Sequence, residues 1–139
     1  MVERVALCAE LLFLAELSAE DVREKKVSVY KVLVFTVLAL IYRAFTNQLF
    51  WMEMIINLVP GGMMILLAIL TKEGIGYGDG MTVMVLGLWT NVWFTTGVLC
   101  VAILLSGIFG SICLIVTKRE VIPFVPFLLV GLEVMLFYA

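Results

Sequence analysis

Long apolar runs separated by short polar turns constrain this chain more than any other feature. One run, Val98–Val116, contains no charged residue, and similar runs fill most of the 139 positions. Hydrophobic residues make up 64% of the sequence, against roughly 45–50% in a soluble domain. A soluble fold of this length could not bury so much apolar surface. The sequence therefore predicts an integral membrane protein.

The runs predict an all-α bundle of about six transmembrane helices. A bilayer core of roughly 30 Å needs about 20 residues per helix, so six helices would use most of the chain. The runs are continuous rather than alternating, which favours helices over a β-barrel. The predicted helices are Val2–Leu17, Val27–Phe45, Leu49–Leu70, Gly80–Phe94, Val98–Val116 and Val121–Tyr138, with a turn between Asn91 and Gly97. They predict a single transmembrane domain over residues 1–139, without an extra soluble region.

Lysine and arginine residues predict the orientation of the bundle. Seven of them lie in or next to the loops that follow the odd-numbered helices, whereas two, Arg4 and Arg43, lie on the opposite side. Positive residues favour the cytoplasmic side of a membrane, so both termini are predicted to lie outside. Asp21, in the charged loop after the first helix, and Asp79, just before the fourth, then lie together at the cytoplasmic side.

The polar composition excludes several classes of chemistry. The chain has no histidine, which excludes His-based triads and His metal sites. Its three cysteines lie in apolar runs without Cys-x-x-Cys spacing, which is typical of buried thiols rather than of a disulfide or a metal site. A net charge of -2 without a long basic tract argues against a nucleic-acid partner. We expect no metal and no cofactor, and chemistry carried by carboxylates.

The stretch Gly74–Gly80, which reads Gly-Ile-Gly-Tyr-Gly-Asp-Gly, places one of the only two aspartates of the chain on a glycine-rich turn. Glycines would let a substrate strand approach the backbone without side-chain clashes. Two aspartates that share a proton can activate water, one accepting a proton while the other donates to an amide carbonyl oxygen. Asp21 and Asp79 are therefore a candidate pair that titrates as a unit. An N-cap at Asp79 and a solvated loop charge at Asp21 explain the pattern equally well.

Three features together resemble the prepilin peptidases of the type IV leader peptidase family, in particular the short tight-adherence (Flp pilus) type. Gly76-Tyr77-Gly78-Asp79 matches the Gly-x-Gly-Asp motif of membrane aspartic proteases, and Asp21 leads a basic loop as it does in that family. Pro123-Phe124-Val125-Pro126-Phe127 looks like the segment that opens the last helix of the family. Val27-Ser28 and Met81 depart from the usual isoleucine-proline and lysine.

The resemblance implies an aspartic-type endopeptidase with Asp21 and Asp79 as catalytic residues. It implies a substrate or motif loop and a set of supporting residues. The loop residues are Gly76, Tyr77, Gly78 and Gly80, and the supporting residues are Arg23, Pro123, Phe124 and Pro126. Larger members add a methyltransferase region, often with paired Cys-x-x-Cys, and this chain has no such cysteines. We therefore expect peptidase activity without N-methylation.

The resemblance also implies a location and partners. The protein would be a multi-pass protein of a prokaryotic plasma membrane, with the lipid bilayer as one partner. Its substrate would be a type IV pilin-like precursor, with a short basic leader in the cytoplasm and an apolar helix in the bilayer. Cleavage at the cytoplasmic boundary would serve type IV pilus assembly or protein secretion.

Glu10, Glu53 and Glu133 fall within predicted spans, and intramembrane carboxylates are functional candidates. Glu10 lies eleven residues before Asp21, nearly on the same helical face. It could therefore line a polar path to the pair, or be a neutral acid inside the bundle. A transporter that uses Glu10 or Glu53 is an alternative, weakened by the few polar residues at mid-membrane.

A channel is a second alternative, because Gly76-Tyr77-Gly78-Asp79 also spells the core of a potassium filter. Such a filter needs four Thr-Val-Gly-Tyr-Gly loops, and here the first two places are Gly74 and Ile75. A protease of the signal-peptide-peptidase kind is a third alternative. In those enzymes both aspartates lie deep within helices, whereas Asp21 is predicted in a loop.

Overall fold

The computed structural model describes residues 2–24, 28–47, 50–72, 76–117 and 122–138. Within these ranges the chain is helical and contains no strand. Six helices follow one another as α1 (Val2–Glu24), α2 (Val29–Phe45), α3 (Trp51–Leu70), α4 (Tyr77–Trp89), α5 (Val92–Val116) and α6 (Val125–Tyr138). The predicted all-α architecture with six helices is confirmed.

Within the described part of the chain, α3 and α5 are the two helices that are long and apolar enough to cross a membrane. The most apolar stretch of α5 is only 11% buried inside the protein, and that of α3 is 33% buried. The core helix of a soluble protein would cover its apolar residues. The exposure of both helices is therefore consistent with a membrane protein.

α4 is the central helix and contacts α1, α2, α3 and α5. Every residue from Val85 to Trp89 is buried, as are Gly80, Thr82 and Val83. Helices apolar on every side are typical of the interior of a bundle. α4 therefore runs through the middle of the protein and holds Asp79 at one end of the bundle.

Glycines allow α4 to pack closely against the antiparallel α3. A Cβ atom added to Gly80 would lie 2.5 Å from Cγ1 of Ile65, and one added to Gly87 would overlap the carbonyl oxygen of Asn57. A Cβ on Gly61 would lie 2.5 Å from the backbone nitrogen of Met84. Small residues at a helix interface let the backbones approach. These glycines therefore fix the position of α4 along α3.

α6 joins α1 to α5. On the α5 side, a Cβ on Gly131 would lie 2.7 Å from the carbonyl oxygen of Val98. On the other side, α1 buries one face at helical spacing, which comprises Ala6, Glu10, Phe13, Leu14, Leu17 and Asp21. Asp21 lies at the end of this face, where α6 begins.

Two buried polar side chains hold the turn between α4 and α5. The Arg43 guanidinium donates hydrogen bonds to the carbonyl oxygens of Leu88 and Thr90, the latter at 2.8 Å. Oδ1 of Asn57 accepts the N–H of Val92 at 2.9 Å. The last carbonyls of α4 and the first amide of α5 have no partners within their own helices, so these side chains supply them.

Several predicted boundaries are wrong, among them the end of the fourth helix, which lies at Trp89 instead of Phe94, and the start of the sixth, which lies at Val125 instead of Val121. α1 continues to Glu24 through the predicted charged loop, so Asp21 lies on a helix. The segment is rich in Ala, Glu and Arg, which favour helix, and Lys31 of α2 pairs with Glu20 at 3.3 Å. α4 begins at Tyr77 rather than at Gly80.

The start of the fifth helix is also wrong, because this helix begins at Val92 instead of Val98. The predicted turn between Asn91 and Gly97 is reduced to Thr90 and Asn91, and Gly97 lies inside α5. The Asn91 side chain accepts the N–H of Phe94 at 2.9 Å, which is a common way to cap a helix.

Candidate active site

Asp21 is buried, with 6% of its surface exposed, on the face of α1 that meets α6. Its Oδ2 atom accepts the N–H of Val125 at 3.1 Å. The N–H of Phe124 also favours the charged form of this carboxylate. These amides open α6, where the first N–H groups of a helix lack intrahelical partners. Asp21 therefore caps α6 from a neighbouring helix, and the helix dipole favours its negative charge.

The proline-phenylalanine segment explains why two particular amides face Asp21. Pro123 and Pro126 have no N–H, so Phe124 and Val125 are the donors between them. The sequence predicts Pro123, Phe124 and Pro126 as supporting residues, but not Val125. The signal that could have identified Val125 is its position between two prolines at the start of a helix.

Asp79 lies in the first turn of α4, and its backbone N–H donates to the carbonyl oxygen of Gly76 at 3.2 Å. Its carboxylate lies against Gly76, whose amide favours the charged form. Gly76 is the N-cap of α4, so the interpretation of Asp79 as the N-cap is wrong. The arrangement resembles one half of a capping box, in which an acidic residue reaches back to the N-cap amide. Residues 74 and 75 of the glycine-rich stretch lie outside the described residues.

The two carboxylates lie close enough for the charge of Asp21 to act on Asp79. Neither lies in α3 or α5, the described helices that are long and apolar enough to cross a membrane. Burial, and then the Asp21 charge, raise the pKa of Asp79 to about 7, an effect that the Gly76 amide opposes. Burial also raises the pKa of Asp21, while the Val125 and Phe124 amides oppose this. A carboxyl group whose pKa lies near 7 can donate a proton at neutral pH.

The predicted loop residues differ in their surroundings. Gly76 and Tyr77 are exposed, Gly78 is half-buried, and Gly80 is buried against Ile65 of α3. The packing of α4 against α3 accounts for Gly80 without a substrate. The carbonyl oxygen of Gly76 accepts the N–H of Asp79, and that of Gly78 accepts Oγ1 of Thr82 at 2.8 Å. Carbonyls engaged in this way argue against the channel alternative, which needs them to face an ion.

The sequence profile of the type IV leader peptidase family matches residues 8–115. This span includes Asp21, Asp79 and the glycine-rich stretch. The chain belongs to the type IV leader peptidase family. The protein is therefore a member of a peptidase family, and its resemblance to the prepilin peptidases is confirmed at this level. Comparisons with curated proteins and with solved structures found no match.

Glu10 and Arg23, which the sequence predicts as supporting residues of the site, lie apart from the carboxylate pair. Glu10 is fully buried on the same face of α1 as Asp21, and neither of its carboxyl oxygens has a hydrogen-bond partner. A helix rises about 1.5 Å per residue, so eleven residues separate Glu10 from Asp21 by roughly 16 Å. Arg23 is exposed near the end of α1.

The structure also bears on the two other intramembrane carboxylates and on metal binding. The side chains of Glu53 and Glu133 are exposed. No cluster of three or more metal-ligating side chains occurs within the described ranges. Among the carboxylates predicted to be functional, Asp21 and Asp79 are the two that the structure brings near each other.

Proposed function

We propose that this protein is a membrane aspartic endopeptidase that removes the short basic leader of type IV pilin-like precursors at the cytoplasmic face of the membrane. The observation that carries the proposal is that α1 and α4 pack together and bring Asp21 near enough for its charge to act on Asp79, in a member of the type IV leader peptidase family. The two residues lie 58 positions apart in the chain.

The pair supports peptide hydrolysis by water. One carboxylate accepts a proton as the water oxygen attacks the carbonyl carbon, and the protonated partner donates to the carbonyl oxygen. The resulting diol loses the amine when the first group returns its proton to the nitrogen and the second recovers one from a hydroxyl. All protons are balanced between the two aspartates and the water, so the pair needs no third titratable group.

Exposed aromatic residues support a bundle that crosses the membrane with this pair near one surface. Five strongly exposed aromatic side chains lie at the opposite end from the aspartates. They are Phe45 at the end of α2, Trp51 at the start of α3, Trp93 at the start of α5, and Phe137 and Tyr138 at the end of α6. Aromatic belts of this kind lie where a bilayer meets water. Tyr30, at the start of α2, is similarly exposed at the aspartate end. Together with the Lys and Arg distribution, these aromatic residues support a multi-pass protein with a membrane interface at each end of the bundle.

The acidic residues beside Asp21 bear on recognition of a basic leader. Glu20 is paired with Lys31 at 3.3 Å, whereas Glu24 is exposed at the last position of α1. An exposed carboxylate attracts a cationic segment, although weakly at physiological ionic strength. Glu24 is therefore the described carboxylate best placed to meet such a leader.

Purified protein incubated with a pilin-like precursor tests the proposal. We expect one cut between the basic leader and the apolar helix, read by sequencing the mature N-terminus. Uncleaved precursor across several candidates, with correctly folded protein, would contradict it. Glu10→Gln addresses the transporter alternative: if this change alone stopped processing while Asp21→Asn and Asp79→Asn did not, the working carboxylate would be Glu10.

A further inference from the structure

We infer that the two aspartates have different resting roles: Asp21 is the ionised carboxylate, held by the first amides of α6, and Asp79 carries the shared proton. This division rests on the proposed function, which requires one charged and one protonated group. It goes beyond that function by assigning each role to a residue and by making the Phe124–Val125 turn a positioning element for Asp21.

Burial raises the pKa of Asp21, but the backbone amides beside it favour its charged form. Its Oδ2 atom accepts the N–H of Val125 at 3.1 Å, and the Phe124 amide acts in the same direction. Hydrogen bonds to an ionised acceptor are stronger than those between neutral groups, so each amide favours the ionised state. The amides also open α6, a helix of 14 residues, whose N-terminal dipole favours an anion.

The surroundings of Asp79 provide less support for a charge. Burial, and then the neighbouring Asp21 charge, raise its pKa to about 7, an effect that the Gly76 amide opposes. The N-terminus of α4 also favours an anion, but the same dipole effect acts on Asp21 at α6. The difference between the two sites is therefore the hydrogen bond that Val125 donates to Asp21.

Other charged groups near the pair do not reverse this asymmetry. On α2, Lys31 is engaged by Glu20 at 3.3 Å and lies 4.0 Å from Glu16. On α1, Arg23 and Glu24 point to the surface, as does Lys72 after α3. Exposed charges are screened by water and salt. Asp21 is the charged group that acts on Asp79.

The assignment fixes the direction of proton movement in the proposed hydrolysis. Asp21 accepts the proton of the attacking water, and Asp79 donates its proton to the carbonyl oxygen. When the carbon–nitrogen bond breaks, Asp21 returns its proton to the leaving nitrogen, and Asp79 regains one from the diol. Water must therefore bind on the Asp21 side of the substrate.

Because the chain has only two aspartates, ¹³C labelling of aspartate carboxyl carbons gives one signal for each. We expect one signal in the wild-type protein to titrate near pH 7 and to be absent from Asp79→Asn. The other should remain ionised to lower pH and be absent from Asp21→Asn. Simultaneous titration of both signals, or the opposite assignment, would overturn the division of roles.

Val125→Pro tests the positioning element, because proline removes the donated N–H yet is well tolerated at the first position of a helix. We expect the Asp21 signal to titrate about 1 pH unit higher and precursor processing to fall about tenfold. Val125→Ala keeps the amide and is the matched control, so its Asp21 titration should equal that of the wild type. An unchanged Asp21 titration in a helical, membrane-inserted Val125→Pro protein would contradict the positioning role.

These results separate the two proposals. If processing requires both aspartates but their signals titrate together, the division of roles fails and the peptidase proposal stands. If either aspartate variant processes precursors normally, the peptidase proposal itself fails. If Val125→Pro does not fold, the wild-type titration still decides the inference.

Discussion

At its C-terminal end, α4 meets the guanidinium of Arg43, which donates to the Leu88 and Thr90 carbonyls. At its N-terminal end, it brings the carboxylate of Asp79 near that of Asp21. The first arrangement pairs a cation with the negative end of a helix dipole, which is favourable. The second places two acids where the ionisation of both is costly. An arrangement that opposes the stability of the fold is expected at a functional site.

The same contrast is seen at the N-termini of α5 and α6. Asn57 supplies an acceptor to the first amide of α5 with a neutral side chain, whereas Asp21 supplies an acceptor to α6 with a charge. A neutral cap would suffice for structure. We therefore propose that the aspartate at position 21 serves its electrostatic interaction with Asp79.

The largest effect is expected from removing either acid. Asp21→Asn and Asp79→Asn should each reduce precursor processing by about 1,000-fold or more, because a dyad cannot work with one titratable member. Their thermal unfolding in detergent should stay within about 1 kcal/mol of the wild type, since asparagine keeps the size of the side chain and an oxygen that accepts hydrogen bonds. Glu133→Gln, the same change at an exposed position, is the control for processing.

A change at the C-terminal end of α4 should affect the free energy of unfolding. Arg43→Ala should cost roughly 2–4 kcal/mol of unfolding free energy, because it leaves buried carbonyls at the end of α4 without their donors. Arg4→Ala removes the same charge from an exposed position and should change little. Chemical denaturation in mixed micelles measures both. Equal stability of the two variants would show that Arg43 does not secure this end.

Adjacent glycines in α3 test whether close packing holds α4 in register. Gly61→Ala places a Cβ against the Met84 backbone and should destabilise the protein by about 1–3 kcal/mol. Gly62→Ala meets nothing within 4 Å and should stabilise α3 by about 0.5–1 kcal/mol. A similar response of both variants in thermal unfolding would contradict the observed α3–α4 contact.

The pH dependence of processing should be bell-shaped. Asp79 must be protonated to donate, so activity should decline about tenfold per pH unit above its pKa of about 7. Asp21 must be ionised to accept, so activity should also decline in acid, below the pKa of Asp21. Initial rates of precursor cleavage at constant ionic strength measure this. A rate that keeps rising through pH 8 would exclude a protonated Asp79 as the donor.

Sequence reasoning reached the six helices because their apolar runs are long and separated by polar turns. It paired Asp21 with Asp79 because these are the only two aspartates and Lys and Arg counting placed them on one side. It placed the end of the first helix at Leu17, because the charged residues that follow are typical of a loop. In the structure, Lys31 pairs with Glu20 and the start of α6 packs over Asp21, so the helix continues to Glu24.

The contact between Asp21 and Val125 could not be predicted, because a backbone amide leaves no signature in side-chain identity and the two residues are 104 positions apart. The role of Gly80 was missed for a related reason. A glycine next to an aspartate suggests space for a substrate, whereas its actual neighbour, Ile65, is on another helix. In both cases the deciding partner comes from tertiary packing.

The most direct test of the central claim is the cleavage rate per folded molecule for the wild type, Asp21→Asn and Asp79→Asn against one pilin-like precursor. The account predicts that both variants insert and unfold like the wild type and that neither releases the mature N-terminus. Processing at the wild-type rate by either variant would contradict a catalytic pair formed by Asp21 of α1 and Asp79 of α4.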